Sequence, residues 1–308
     1  MPELAEIKIA SDFFNAKALN KKLKKIVPKE TSKVKTDLSF VSPATIRAEA
    51  RGKELIFTLI EDDGTVRKLL LFFGMSGYFK TVKTDEEEKK SRLTFYYEDG
   101  TIVGFFDGRN FSKWKWVDNW SSNRGPCPVT EYKKFRTNIM DNINNKAFEK
   151  PVHVVLLNQK YFNGIGNYLR STIIYNLRLV NPDTPFNQLN DEELDALLVS
   201  CRIIPAFFYF HHAYGLTAYN SGGKIYSKGY TKDEIVAWDE MMTFFDTYKN
   251  FKWMEEDILL LDLISSSSPN AIMFYGEGCS KKDSTGRTFW YDCKWDHPGK
   301  VLPTYRTI

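Results

Sequence analysis

The sequence predicts an α+β protein of two domains: an antiparallel β-sandwich or barrel entered by one α-helix, then a helical domain that closes with a β-hairpin. Three observations predict it. Apolar residues recur at helical spacing from residue 3 to about 16, short β-rich runs fill about 45 to 117, and a four-residue apolar period takes over beyond 130. At 308 residues the chain exceeds the usual single-domain size and has length for two hydrophobic cores.

In chain order, Leu4, Ile7, Ala10 and Phe14 define the apolar face of the opening helix, with Pro2 at its start. Lys17, Lys21, Lys22, Lys24, Lys25 and Lys29 then crowd one short stretch, read as a solvated helix surface in preference to a phosphate-facing one. The runs ELIFTLI, KLLLFF, RLTFYY and TIVGFF follow, separated by EDDG, the acidic loop DEEEKK and EDG. VDNWSSNRGPCPVT loses periodicity and gains Ser, Asn, Gly and Pro, which places the N-terminal domain at 1–120, a linker at 121–130 and the second domain at 131–308.

In that second domain Ile165, Leu169, Ile173 and Leu177 recur every four residues, and DEELDALLVSC, around 191–201, reads as a helix behind an acidic start. NSGGKIYSKGY is a glycine-rich basic loop. The terminal segment from SSSSPN onward carries GRTFWY beside a turn and predicts a hairpin at about 272–295.

Composition narrows the classes of function. No stretch approaches the roughly 18 uninterrupted apolar residues of a membrane span, and acids in MPELAEIKIA stand where a secretory signal carries a basic end. A soluble, intracellular protein is expected. Net charge is only +4, compatible with a polyanion partner without requiring one. The four cysteines, Cys127, Cys201, Cys279 and Cys293, are scattered and form no disulfide framework, so each is expected as a buried thiol in a reducing compartment. Nothing signals an oligomer seam, and a monomer is expected.

Chemistry enters with Pro2. Removal of Met1 leaves a secondary amine whose pKa lies near that of an α-amino group, about 8, so a useful fraction is neutral at pH 7. Such an amine can attack a sugar C1′, expel a base and leave an iminium that acidifies the C2′ protons. Glu3 beside it is a candidate proton shuttle. The plain alternative is a proline that merely opens a helix. In NQKYFNGIGNYLRSTIIYNL, exposed amides at Gly164 and Gly166 with the Asn167 side chain suggest a phosphate clamp; the alternative is a helical turn with capping glycines.

MPE at the start, ARGKEL, FGMSG, the D-x-R-x-F segment of FFDGRNFSKW, FNGIGNYLR and DSTGRTFWY occur in the order found in the Fpg/Nei DNA glycosylases. The chain resembles that family over nearly its whole length, loosening between about 180 and 270, and RGPCPVTEYKKFR with NKAF is similar to the animal-type Nei-like glycosylase 1 branch. The resemblance implies a β-sandwich domain joined to a helical domain with a helix–two-turn–helix element, DNA lying between them. By motif, Pro2 resembles the nucleophile, Glu3 the general acid/base, and Lys53 the essential lysine near the lesion phosphate, where it otherwise reads as a strand-end surface charge.

Met75, Arg109 and Phe111 resemble the three side chains that fill the gap left by an extruded base. Without the resemblance Met75 and Phe111 read as core and Arg109 as a surface charge. Arg287 resembles the hairpin arginine that contacts lesion phosphates, completing a clamp with Lys53 and Asn167. Lys224 resembles the basic residue of a lesion-recognition loop, and a solvated loop lysine is an equal reading. Cys279, Cys293 and His297 lack the paired spacing of a zinc site, so a zincless finger, no metal and no cofactor are expected.

Three positions depart from the family pattern: Leu4-Ala5 for Gly-Pro, Asn110 for a second arginine and Thr172 for a glutamate. The expected function is a bifunctional DNA glycosylase/AP lyase of base excision repair, nuclear in a eukaryote. It acts on damaged double-stranded DNA, with single strands and bubbles as further substrates. Oxidised pyrimidines are the chief target, extending to hydantoins and formamidopyrimidines, with strand cleavage by β,δ-elimination. The competing readings are an AP lyase or purine-directed glycosylase, a non-catalytic damage-binding protein, and a nucleic-acid-binding module that shares only the helix–two-turn–helix.

Overall fold

The computed structural model describes residues 2–177, 180–213, 279–291 and 293. These fall into two compact units, one of 2–124 with 209–213, the other of 125–208 with the terminal hairpin.

The first unit opens with α1 (Leu4–Ala18), then β1 (Leu23–Pro28), β2 (Ala44–Arg51), β3 (Glu54–Glu61), β4 (Val66–Phe72), β5 (Tyr78–Thr81), α2 (Asp85–Lys90), β6 (Leu93–Tyr97), β7 (Ile102–Phe106) and β8 (Lys113–Trp116). The strands form one eight-stranded antiparallel sheet in the order β5-β7-β6-β1-β2-β3-β4-β8. β1 meets β2 only at Leu23↔Ala44, so the sheet is nearly parted there. Phe57 of β3 lies 6.0 Å from Phe79 of β5 and 5.0 Å from Phe95 of β6, ring to ring, although these strands are far apart in the sheet order. The sheet therefore folds over itself as a sandwich.

Phe14 of α1 enters the same cluster, 4.6 Å from Phe57, 5.2 Å from Phe79 and 4.9 Å from Phe95. Tilted and edge-on pairs of this kind each add about 0.5–1.5 kcal/mol to simple burial. Alternation along β2 buries Ala44, Ile46 and Ala48 and exposes Thr45, Arg47 and Glu49. α1 is fastened to β2 at one point: Ala48 O accepts from Ser11 Oγ (3.0 Å) and Asn15 Nδ2 (2.9 Å), while Ala48 N donates to Asn15 Oδ1 (2.7 Å).

Two local expectations are corrected. Of the lysine-rich stretch only Lys17 lies on a helix, α1, while Lys24 and Lys25 are exposed on the strand β1, which buries Leu23 and Ile26; a dense run of lysines shows which side is wet but not which backbone carries them. DEEEKK is the short helix α2. Thr84 caps it by accepting the Glu87 N–H (3.3 Å), with acids in the first turn and Lys89 and Lys90 in the last, the charge order a helix dipole favours. It buries no residue, so no apolar period announced it.

The second unit holds α3 (Tyr132–Met140), a 3-10 turn (Lys146–Glu149), α4 (Val152–Val155), α5 (Asn167–Leu177) and α6 (Asp191–Ala213) as far as Phe208, with β9 (Cys279–Lys282) and β10 (Thr288–Tyr291) as an antiparallel hairpin. Ile165, Leu169, Ile173 and Leu177 are all buried, as their spacing predicts. α6 starts with a reciprocal capping box, Asn190 N to Glu193 Oε2 (3.0 Å) and Glu193 N to Asn190 Oδ1 (2.9 Å).

Cysteine chemistry divides. Cys127 and Cys201 are buried thiols as expected, and burial pushes the Cys201 thiol up. Cys279 and Cys293 form a disulfide, contrary to the expectation of free thiols. Register brings them together: Cys279 pairs with Tyr291 across the hairpin, leaving Cys293 just beyond it. A separation of 14 residues carries no such information by itself. Among the described residues no group of three or more His, Cys, Asp or Glu is placed to hold a metal ion.

Candidate functional site

Pro2 stands one residue ahead of the N-cap of α1, half-buried and outside the helix, so it is not the first helical residue of the plain reading. Glu3 is that N-cap. Its side chain accepts the backbone N–H of Glu6, and the Glu6 carboxylate accepts the Glu3 N–H at 3.0 Å. Only 2% of Glu3 is exposed, so its carboxyl is held at the helix start, where the dipole favours negative charge.

Lys53 sits in the two-residue turn joining β2 to β3, between the paired residues Arg51 and Glu54. Gly52 there has φ +59°, the left-handed conformation a Gly-X hairpin turn requires at its first central residue. Glu54 behind it is fully buried, accepting the Ser121 N–H at 3.4 Å with Arg124 Nε at 3.8 Å. Arg51 lies over the Trp120 ring at 5.9 Å. The turn is thus braced from residues 120–124.

Met75 and Phe111, which read as core in isolation, are 41% and 59% exposed. Arg109 is exposed too, and its Nη1 lies 3.8 Å from Met75 Sδ. Asp107, only 3% exposed, ties the two loops beneath them. Its Oδ1 accepts from Ser76 Oγ (2.6 Å) and Arg109 N (3.2 Å), its Oδ2 from Ser112 N (2.7 Å). Burial pushes the Asp107 carboxyl up, but the hydrogen bonds from Ser76 and Ser112 outweigh it, and the net direction is down. Gly74, at φ +65°, is where the loops touch: a Cβ there would lie 2.8 Å from Phe111 C and Ser112 N. Asn110, at φ +57°, takes the left-handed turn between Arg109 and Phe111, a conformation asparagine tolerates better than arginine.

In the second unit Asn167 opens α5, its Nδ2 donating to Thr288 O (2.8 Å) on β10 and its Oδ1 accepting from Arg170 Nη2. Arg287 is exposed beside Gly286 in the hairpin turn, with its backbone N–H donated to Asp283 Oδ1 at 3.0 Å. The expectation of exposed amides at Gly164 and Gly166 is corrected. Both residues are buried, and the Gly164 N–H donates to Gln159 Oε1 at 3.0 Å. The Gln159 side chain folds back on the turn, also donating to Ile165 O (2.7 Å). Thr172 is buried and returns its hydroxyl to Tyr168 O (2.9 Å). Lys224 lies outside the described residues, as does His297.

Sequence reasoning passed over Asp107, Arg170, Asp283 and Gln159. Asp107 and Asp283 each head a turn, D-x-R and D-S-T-G, the position where a side chain accepts backbone N–H groups two residues on. That signal was available. Arg170 is fully buried, which no local pattern shows.

Residues 1–114 match the family model described as Formamidopyrimidine-DNA glycosylase N-terminal domain. Endonuclease 8-like 1 of Homo sapiens is 37% identical over 188 residues, 58% of this chain and 48% of the relative. The formamidopyrimidine-DNA glycosylase of Ligilactobacillus salivarius (strain UCC118) is 28% identical over 207 residues, 64% of this chain and 73% of the relative. The chain spans about half the length of the human and mouse relatives it matches. Among solved structures, a complex of the Lactococcus lactis Fpg protein with a THF-DNA and an inhibitor aligns over 96% of this chain and 99% of that one, TM-score 0.64 at 19% identity. MutM (Fpg) protein from Thermus thermophilus aligns over 72% and 80%, TM-score 0.57 at 21% identity. At these identities the solved structures show a shared fold.

Proposed function

We propose, from the match of residues 1–114 to the formamidopyrimidine-DNA glycosylase N-terminal model and the likeness to Endonuclease 8-like 1, that the chain is an Fpg/Nei-type bifunctional DNA glycosylase and abasic-site lyase of base excision repair. Its substrates in this reading are oxidised bases in double-stranded DNA, chiefly pyrimidines, with hydantoins and formamidopyrimidines alongside. The observation that carries the reading is the exposed trio Met75, Arg109 and Phe111 on a platform fixed by Asp107. Two large apolar side chains held in water beside a guanidinium suit insertion between bases better than they suit core packing.

Pro2, freed by removal of Met1, attacks C1′ of the extruded nucleotide as its N-glycosidic bond breaks, the bond electrons leaving with the base. As C1′–O4′ opens, O4′ takes a proton and the nitrogen becomes an iminium. Loss of a C2′ proton then expels the 3′ phosphate, and a second elimination expels the 5′ phosphate. Glu3 is the group nearest in sequence to deliver and collect these protons, and its buried N-cap position fixes where its carboxyl lies. Lys53, displayed on a braced turn, and Asn167 with Arg287 are the proposed phosphate contacts.

One observation favours a purine-directed variant: the matching family model and the Ligilactobacillus salivarius relative bear the formamidopyrimidine name. The deciding experiment incubates the protein with a duplex containing one abasic site, adds borohydride and maps the adduct by mass spectrometry. An adduct on Pro2 is expected. Absence of an adduct although Met1 is gone and the DNA is bound removes the lyase activity from the proposal. Rates on thymine glycol against 8-oxoguanine duplexes then separate the two specificities.

A further inference from the structure

Arg170 and Asp283 form a buried ion pair that no part of the proposed chemistry uses. Arg170 Nη1 lies 2.8 Å from Asp283 Oδ2, neither residue is more than 9% exposed, and the pair joins α5 to the hairpin. An ion pair placed out of water gains little stability by itself, because desolvation opposes the attraction, so its retention asks for another reason.

Its remaining bonds supply one. Arg170 Nη1 also donates to His153 O (3.0 Å), Nη2 donates to Asn167 Oδ1, and the guanidinium lies 4.8 Å over the Phe289 ring. Asp283 Oδ1 accepts from Thr285 N (2.9 Å), Thr285 Oγ1 (2.7 Å) and Arg287 N (3.0 Å), and Asp283 N donates to Arg287 O (2.9 Å). One partner therefore orients the Asn167 amide and the other shapes the turn that carries Arg287. Burial pushes the Asp283 carboxyl up, but its bonds to Thr285 and Arg170 hold it well below the usual carboxylate range, so it stays charged at any working pH.

We infer that Arg170 and Asp283 are positioning residues that set the Asn167 amide and the backbone turn presenting Arg287 for one phosphate-binding site. The inference rests on the reading that Asn167 and Arg287 contact DNA phosphates. The two sit on separate segments 120 positions apart in the numbering, and the buried pair and the Asn167–Thr288 bond link their positions. An amide already oriented and a turn already shaped leave less to be ordered when phosphate binds.

The test measures binding of a duplex carrying one tetrahydrofuran abasic analogue across a potassium chloride series. It compares the full-length protein with Asn167→Ala, Arg287→Ala, Asp283→Asn, Arg170→Lys and the doubles Asp283→Asn/Arg287→Ala and Arg170→Lys/Asn167→Ala. Loss of one phosphate contact lowers the salt slope by about 0.9. Asp283→Asn is expected to weaken binding roughly tenfold, to lower the slope as Arg287→Ala does, and to add little in the double. Arg170→Lys keeps the charge against Asp283 but cannot also reach Asn167. It is expected to match Asn167→Ala with the slope kept, and it serves alone if Asp283→Asn does not fold.

A purely structural pair would lower the melting temperature while leaving affinity and slope of the folded protein unchanged, or would add fully in the doubles. Either result overturns the inference. If Arg287→Ala and Asn167→Ala themselves bind as the parent does, the phosphate clamp fails and the positioning role falls with it. That outcome is recognisable because the parent residues, not their supports, are then silent.

Discussion

Asp107 shows how one residue sets a site it does not enter. Its carboxylate accepts two backbone N–H groups and the Ser76 hydroxyl beneath the exposed trio. Replacing it with alanine leaves those donors without their acceptor, and a destabilisation of about 1–3 kcal/mol is expected, read as a lower denaturation midpoint. Met75→Ala and Phe111→Ala differ in kind. These side chains are largely in water, so the double variant is expected to melt within a degree or two of the parent, surface changes rarely exceeding about 0.5 kcal/mol. Its excision of a base-paired lesion is expected to fall about tenfold or more, the equivalent of roughly 1.4 kcal/mol in the barrier. Nicking of a preformed abasic site, where no base must leave the stack, should change far less. A loss of several kcal/mol in stability would return both residues to the core.

Among the elements, the hairpin β9–β10 is constrained by both burial and a covalent bond. Eight strand residues bury Phe289 and Tyr291, and the disulfide Cys279–Cys293 closes its base. Closing a loop of this length is worth about 3 kcal/mol in the chain-entropy model. Cys293→Ser is therefore expected to destabilise the hairpin and weaken DNA binding through Arg287, while backbone hydrogen exchange in α1 and the sandwich stays as in the parent. His153 supplies a pH dependence to the same region. Its ring stacks on Phe289 at 4.4 Å with Nδ1 2.9 Å from Pro182 O, and burial lowers its pKa below the ordinary value. The unfolded chain binds a proton near pH 6.5 while the folded one stays neutral. Stability of this element is thus full above about 6.5 and declines as pH falls through that value. His153→Phe should flatten the decline, and an unchanged slope in that variant would assign it to another group.

At the scale of the molecule, two units with separate cores predict unfolding that is not two-state. Calorimetry is expected to resolve two transitions, and reductant should lower only the one belonging to the helical unit, where the disulfide lies. A single transition shifted as a whole would mean that the units unfold together. Only part of the order of elements was legible without coordinates, β1 and α2 being misread. α1, the strands β3, β4, β6 and β7, and α5 each carry an apolar period set by their own residues, and local patterns of that kind survive in sequence. The six motifs with Pro2, Glu3, Lys53, Asn167 and Arg287 marked the family for the same reason, since a turn such as Gly52–Lys53 is specified by adjacent residues. The exposure of Met75 and Phe111, the occupation of the Gly164 amide by Gln159, the Cys279–Cys293 bond and the buried Arg170–Asp283 pair were decided only by tertiary structure. Each depends on segments far apart in the chain meeting with particular burial, and desolvation and pairing are properties of that meeting, not of either segment.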